Sequence, residues 1–285
     1  YGDTLDLAGI NPADVGVSNS GSLEVHYGSG ANDFFSLVGN YDPAGFTVAT
    51  DQHGGTDIVW NHQAPVIETD QFSIAQNNDG TTTISGLQVS DSDPAASTGT
   101  FTVAATTGAS GSSITPSADN GSLSHINTDL GAGITYDPGQ TPPSADNIAV
   151  TVADSFGATD TVNFVFNEAA TGPNVALQGT PGKDVIFATG YSDALTGGGG
   201  QDQFVFASTS GPASAQHTIT DFVAGLDKID IRQFGNIQTL NDLTESQQGN
   251  DTLITLDSHD SLLLKNVAPA SLSANDFILH PGNHA

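Results

Sequence analysis

One register constrains this chain more than any other feature. Between residues 179 and 205, acids and apolar residues recur every nine positions. The first block is Gly179-Thr180-Pro181-Gly182-Lys183-Asp184-Val185-Ile186-Phe187, the second runs from Ala188 to Thr196, and the third is Gly197-Gly198-Gly199-Gly200-Gln201-Asp202-Gln203-Phe204-Val205. Asp184, Asp193 and Asp202 share one phase; Ile186, Leu195 and Phe204 share another, which Leu177 extends backwards. Nine residues suffice for a Gly-rich turn of about six and a strand of about three. Repetition of that unit winds the chain into coils, with the apolar residue turned into a narrow core and successive turns on opposite sides. Turns on one side are then two blocks apart, so Asp184 and Asp202 form a pair and Asp193 lies across from them. Glycine lets backbone carbonyls curl inward. A hard cation such as Ca²⁺ takes six to eight oxygens, which two stacked turns with their carboxylates can supply.

Charge points the same way. The 285 residues carry 32 Asp and Glu against 4 Lys and Arg, a formal charge of -28. Lys183, Lys228, Arg232 and Lys265 are the only cations, so residues 1–182 have none. Internal salt bridges cannot hold such a chain together, and nucleic acid and anionic lipid are excluded as partners by repulsion. Multivalent cations are attracted. Cysteine is absent, so small extracellular domains need a staple other than a disulfide, and a metal is the usual one. No apolar run approaches the ~20 residues of a membrane span, so membrane insertion is not expected. Residue 1 is Tyr and no signal-peptide pattern comes after it; the chain reads as part of something longer, or as exported without an N-terminal signal.

Elsewhere strand signals dominate, as short Val-, Ile-, Thr- and Phe-rich runs at 72–74, 81–84, 101–104, 148–152 and 161–166. Asn78-Asp79-Gly80 reads as a hairpin turn. Short helices are expected at 11–14, with Pro12 at the first position, and at 239–247. An internal repeat is also visible. Asp3-Thr-Leu-Asp6-Leu7 matches Asp227-Lys-Ile-Asp230-Ile231, and residues 37–46 match 263–272, at offsets of 224 and 226. The expected fold class is all-β: a β-sandwich, a short parallel β-roll of the stacked turns and two related β-rich modules. The expected segments are 1–62 (first module), 63–168 (sandwich), 169–226 (roll) and 227–285 (second module).

The nine-residue block resembles the RTX nonapeptide repeat G-G-x-G-x-D-x-U-x, which forms a Ca²⁺-binding β-roll. The third block fits it fully, the first has Thr180 in place of the second Gly, and the middle one keeps only Asp193 and Leu195 in register. The resemblance implies one shared site: carbonyls of Gly179 and Pro181 with the Asp184 carboxylate, and carbonyls of Gly198 and Gly200 with Asp202. Asp193 would serve the other side. Phe204-Val-Phe206 and Thr218-Ile-Thr-Asp221-Phe222-Val223-Ala-Gly225-Leu-Asp227-Lys-Ile-Asp230 resemble the segment downstream of RTX repeats in proteins exported by type I secretion. Asn275-Asp276-Phe277-Ile278-Leu279 resembles that family's C-terminal secretion signal, or is an ordinary last strand.

Residues 64–167 resemble the cadherin-like or Ig-like modules of bacterial RTX adhesins, through Ala64-Pro65-Val66, Val89-Ser90-Asp91-Ser92-Asp93-Pro94, Ile134-Thr-Tyr136-Asp137-Pro138 and Val150-Thr-Val-Ala-Asp154-Ser-Phe-Gly157. Such modules often hold Ca²⁺ at a junction. Asp91 and Asp93, with Glu68 and Asp154, are the corresponding carboxylates; a turn whose Asp side chains bond nearby amides is the alternative. Asp51-Gln-His53-Gly54-Gly55-Thr56-Asp57 is either a hairpin turn or a metal loop.

No H-E-x-x-H, nucleophile elbow or phosphate loop appears, so the chain is not expected to be an enzyme. The expected function is the calcium-dependent folding and secretion region of a large type I secreted RTX adhesin or surface protein, extracellular or on a bacterial surface. The alternatives are a structural subunit of a surface layer, fibre or biofilm matrix, and the export tail of an RTX enzyme with its catalytic domain upstream. Expected partners are Ca²⁺, the type I secretion machinery, and a second copy of the chain head to tail or a surface glycan or protein.

Overall fold

The computed structural model describes residues 2–8, 10–11, 13, 15–19, 23–27, 31–35, 46–51, 53–93, 99–140, 145–167, 175–207 and 214–280. The chain is all-β, and among the described residues the single α-helix is Leu123–Ala132. No helix there is long and apolar enough to cross a membrane.

The N-terminal segment forms two small antiparallel sheets. In one, Thr56–Asn61 lies between Gly2–Leu7 and Phe46–Thr50; the other is Val15–Asn19, Leu23–Tyr27 and Ala31–Phe35.

Residues 66–166 form a sandwich. One layer is Ser113–Thr115, Ile134–Asp137, Thr82–Ser85 and Ser73–Gln76; the facing layer contains Ala118–Gly121, Phe101–Thr107, Asp146–Ala153 and Thr159–Phe166. In Asp146–Ala153 buried and half-buried residues alternate strictly, because successive side chains of a strand point to opposite faces. Ile148, Val150 and Val152 thereby reach one core with Phe101, Tyr136 and Phe164. The 78–80 turn joins Ser73–Gln76 to Thr82–Ser85, and Gly80 takes the required positive φ of 88°.

The facing layer does not stop at the sandwich. Thr159–Phe166 pairs in parallel with Lys183–Phe187, which pairs with Gln203–Val205, then Lys228–Asp230, then Phe277–Ile278. One sheet of eight strands therefore takes strands from 101–166, 183–205 and 228–278. Opposite it, Val175–Gln178, Asp193–Thr196, Ala215–Ile219 and Asp260–Leu264 run parallel, with the antiparallel Asp251–Thr255 and Thr244–Gln248 beyond them. Leu177, Ile186, Leu195 and Phe204 are buried between the two sheets, with Ile219, Ile229, Leu262 and Phe277. The apolar phase of the nine-residue register is this core.

One local expectation comes out differently, one helix falls where none was expected, and the two matched stretches differ in their pairing. Residues 239–247 form a one-turn 3-10 helix, Leu240–Asp242, and then the strand Thr244–Gln248. The strand wins because Gly249, at φ 65°, folds the chain back so that Asp251–Thr255 can pair with it. The helix Leu123–Ala132 has a weak apolar pattern, Ile126 and Leu130 alone being buried, and is started by the Ser122 hydroxyl, which accepts from the His125 amide. Finally, Asp3–Leu7 and Asp227–Ile231 have unlike partners: Gly2–Leu7 is antiparallel to Thr56–Asn61, whereas Lys228–Asp230 is parallel to both neighbours. Of the second matched stretch, residues 37–45 lie outside the described residues, as do Pro12 and Asp14 of the expected first helix and Pro94 of the 89–94 motif.

Candidate metal centre in the stacked turns

The turn at 179–182 lies against the turn at 197–200. The Gly179 amide donates to Thr196 O at 2.8 Å, and the Gly199 amide to Thr180 O at 3.3 Å. Gly198 and Gly200 have φ of 103° and 104°, which favours glycine. A Cβ at Gly197 would overlap the Asp202 carboxylate, and one at Gly198 would overlap Thr180 O. At Gly198 and Gly200 the facing turn leaves no room for a side chain.

Along this edge the parallel register aligns a row of acids. Asp184 sits beside Asp202, and Asp202 beside Asp227. The Asp184 amide donates to Asp202 Oδ1 at 3.1 Å, and the Asp202 amide donates to Asp227 Oδ1 at 3.1 Å. Asp184 Oδ2 accepts from the Thr180 amide at 2.8 Å, and Asp227 Oδ2 from that of Val223 at 2.8 Å. Asp221 caps the turn, accepting from the Gly197 and Gly198 amides at 2.9 and 2.8 Å. Asp184, Asp202 and Asp227 are all buried.

Burial raises all three carboxyl pKa values. For Asp202, burial and the neighbouring charges of Asp227 and Asp184 push it up to about 7. The two lysines beside the row do not neutralise it. Lys183 Nζ donates to Ile67 O at 2.5 Å, and Lys228 Nζ to Asn275 O. Arg232 pairs with Asp230 and Lys265 with Asp251. Buried carboxylates without a counter-charge, beside carbonyl-rich turns too tight for side chains, fit a hard cation with oxygen ligands.

Asp193 is placed apart, on the other side of the roll. It accepts from the Thr189 amide at 2.6 Å and from Thr189 Oγ1 at 2.8 Å. The strand register sets His217 beside it, with Nδ1 3.3 Å from Asp193 Oδ2 and both side chains buried. Where the first side stacks carboxylate on carboxylate, this side stacks carboxylate on imidazole.

In the sandwich, Asp93 and Asp154 meet around His62. Its Nε2 lies 2.7 Å from Asp154 Oδ2, and its Nδ1 contacts Asp93 Oδ2. Asp91 adjoins them, accepting from the Asp93 amide at 2.8 Å; burial and the charges of Asp93 and Asp154 raise its pKa. Glu68 accepts from Ser90 Oγ at 2.8 Å. Asp51 Oδ1 accepts from the His53 and Gly55 amides, both at 2.7 Å, within the hairpin of Phe46–Thr50 and Thr56–Asn61. Asp276 is buried and accepts from the Gly225 amide at 2.6 Å, ahead of the last strand, Phe277–Ile278.

Sequence reasoning missed His62, His217 and the role of Asp227. Asp227 was visible in the segment after the repeats, but it comes 25 positions after Asp202 rather than 18, because a longer excursion separates the coils.

Two family models match overlapping parts of the chain. Residues 144–280 match the family model described as the Peptidase M10 serralysin C terminal, and residues 61–167 match the bacterial Ig domain. No curated protein matches the chain. One similar solved structure is the AlgE6R3 subunit of the Azotobacter vinelandii mannuronan C5-epimerase, at 20% identity over 38% of this chain and 80% of that one, with a TM-score of 0.21. Another is the extracellular lipase LipA of Serratia marcescens, at 14% identity over 45% of this chain and 29% of that one, with a TM-score of 0.16. By these matches, the chain has a stretch similar to the bacterial Ig domain and, overlapping its end, a stretch similar to the serralysin C-terminal region, which supports an RTX-like C-terminal region.

Proposed function

We propose that this chain is the calcium-dependent folding and secretion region of a larger type I secreted bacterial protein, an RTX adhesin or related surface protein, and that it has no catalytic role. The row Asp184–Asp202–Asp227, buried without a counter-cation, carries this reading. Asp184 and Asp202, with carbonyls of Gly179, Pro181, Gly198 and Gly200, would hold Ca²⁺, and Asp227 with Asp221 would extend the site by one coil. When bound, the ion supplies the positive charge that the turns lack. Without it, the acids repel one another and resist burial, which keeps the chain loose enough for export. Folding then waits for arrival where Ca²⁺ is abundant, since metal-binding free energy becomes folding free energy. In this reading, positions 62/63, 168/169 and 226/227 divide functional segments rather than separate sheets.

Chelation tests the proposal. Added EDTA is expected to lower β-content in circular dichroism and lower the melting temperature, and excess Ca²⁺ to restore both. Unchanged spectra and melting would overturn it. The match of residues 144–280 to the C-terminal part of serralysin peptidases favours a second reading, the export tail of an enzyme whose catalytic domain lies upstream. The gene sequence upstream decides between the two.

A further inference from the structure

We infer that the Ig-like domain carries a separate site for a first-row transition-metal ion, formed by Asp119, His125 and Asp129. The three residues come from adjoining elements. Asp119 lies on the strand Ala118–Gly121, and His125 and Asp129 stand one turn apart on the helix Leu123–Ala132. Their ligand atoms all fall within 4.8 Å of one another. His125 Nε2 is the shared vertex, 3.3 Å from Asp119 Oδ1 and 3.6 Å from Asp129 Oδ2.

These spacings suit a bound ion better than direct bonds. Charge-assisted hydrogen bonds run at about 2.7–2.9 Å, and both approaches are longer. Metal–nitrogen and metal–oxygen bonds of about 2.0–2.2 Å in a tetrahedron set ligand atoms roughly 3.3–3.6 Å apart. The helix that carries the imidazole is held in position. Buried Ile126 and Leu130 seat the helix, and the Ser122 hydroxyl holds the His125 amide. Position 121 is glycine, and a Cβ there would overlap His125 Cδ2, so the ring reaches towards Asp119 through space that any other residue would fill. Residues 1–182 contain no Lys or Arg to neutralise the two carboxylates.

Ligand chemistry sets the ion class. An imidazole nitrogen with carboxylate oxygens suits Zn²⁺, Co²⁺, Ni²⁺ or Cu²⁺, whereas Ca²⁺ and Mg²⁺ take oxygen alone. His125 is 49% exposed, so water can complete the coordination. The site is therefore independent of the proposed calcium centre, and its function would be to fasten the helix to the edge strand of the sandwich.

The test is a Zn²⁺ titration of the full chain by calorimetry in saturating Ca²⁺, with Co²⁺ visible absorption as the second readout. The wild type is expected to bind zinc in excess Ca²⁺. His125→Gln should bind one zinc equivalent fewer and lose the Co²⁺ band, with an unchanged dichroism spectrum, and Asp119→Asn should weaken the same event. Absence of zinc binding in the wild type, or the same zinc stoichiometry and affinity in His125→Gln, would overturn the inference.

Discussion

The main-chain amide of Asp184 donates to the carboxylate of Asp202, one full coil further along, at 3.1 Å. The Asp202 amide repeats the arrangement with Asp227. Each acid thus presents a donor to the next carboxylate, yet three amide-fed carboxylates remain buried together with no cation among them. Hydrogen bonds from amides soften this cost but do not remove it, because desolvation and mutual repulsion act on all three.

This row sets the pH dependence of the metal-free chain. Asp202 titrates near 7 in the folded state, against an ordinary 3.8. A group whose folded pKa is raised binds more protons when folded, so its stabilising contribution is complete below about pH 4 and is lost as the pH rises towards 7. In EDTA, the roll is expected to melt at a lower temperature at pH 8 than at pH 5. In saturating Ca²⁺, proton and ion compete for the same oxygens, so the order should weaken or reverse. A melting temperature that rises from pH 5 to 8 in EDTA would contradict the assignment.

Asp146 behaves in the opposite sense. It is buried in the sandwich, where burial pushes its pKa up, but hydrogen bonds from Thr107, Tyr136, the Asn147 amide and Ser112 outweigh this and hold it below 3.8. A depressed pKa contributes stability above the unfolded value and loses it as the pH falls through the folded one. Tyr136→Phe removes one donor to this charge and is expected to cost about 1.5–3 kcal/mol near neutral pH. The difference between variant and wild type in urea unfolding should shrink below pH 3.8.

The apolar phase of the register can be tested without touching a ligand. Phe204 is fully buried between the two sheets of the roll. Phe204→Ala should cost about 3–5 kcal/mol by transfer and cavity terms in Ca²⁺, and less in EDTA, where the roll is loosened. An effect of equal size in EDTA would mean that the core forms without the ion.

Gly200 sits at φ 104°, and a Cβ there would press on Gly182 O at 2.5 Å. Gly200→Ala is therefore expected to weaken calcium binding and lower the melting temperature in Ca²⁺, although the substitution removes no side-chain ligand. Gly235, which has open space around it, serves as the control: Gly235→Ala should leave both unchanged.

The roll was legible in the sequence because a strict period fixes geometry. Once Asp184 and Asp202 share a phase with Ile186 and Phe204, parallel pairing and an inward apolar stripe leave few alternatives. Legibility ended where the period broke. Asp227 joins the same row after 25 positions, and only the strand register of Gln203–Val205 with Lys228–Asp230 reveals it. His217 was invisible for the same reason: it stands beside Asp193 through Ala215–Ile219, a strand reached after an irregular connection. In the sandwich, alternating apolar residues indicated strands, but no local pattern could show that Thr159–Phe166 would adopt Lys183–Phe187 as its next neighbour. That pairing is a property of tertiary contact, and it joins two segments the composition had suggested were separate. His62 lay outside any motif, and its place between Asp93 and Asp154 depends on residues 31 and 92 positions away.

Asp184 and Asp202 are proposed to hold a calcium ion whose binding drives folding of the roll. The most direct measurement is a Ca²⁺ titration of the full chain by calorimetry, alongside melting, for the wild type, Asp184→Ala and Asp202→Ala. In the wild type, free Ca²⁺ at about 100 times Kd should stabilise the fold by about 2.7 kcal/mol, a rise of roughly 5–10 °C in Tm. Each variant should lose a binding event and most of that rise. If both variants keep every binding event and the full calcium-dependent shift in Tm, the ion is held elsewhere and the account of the stacked turns is wrong.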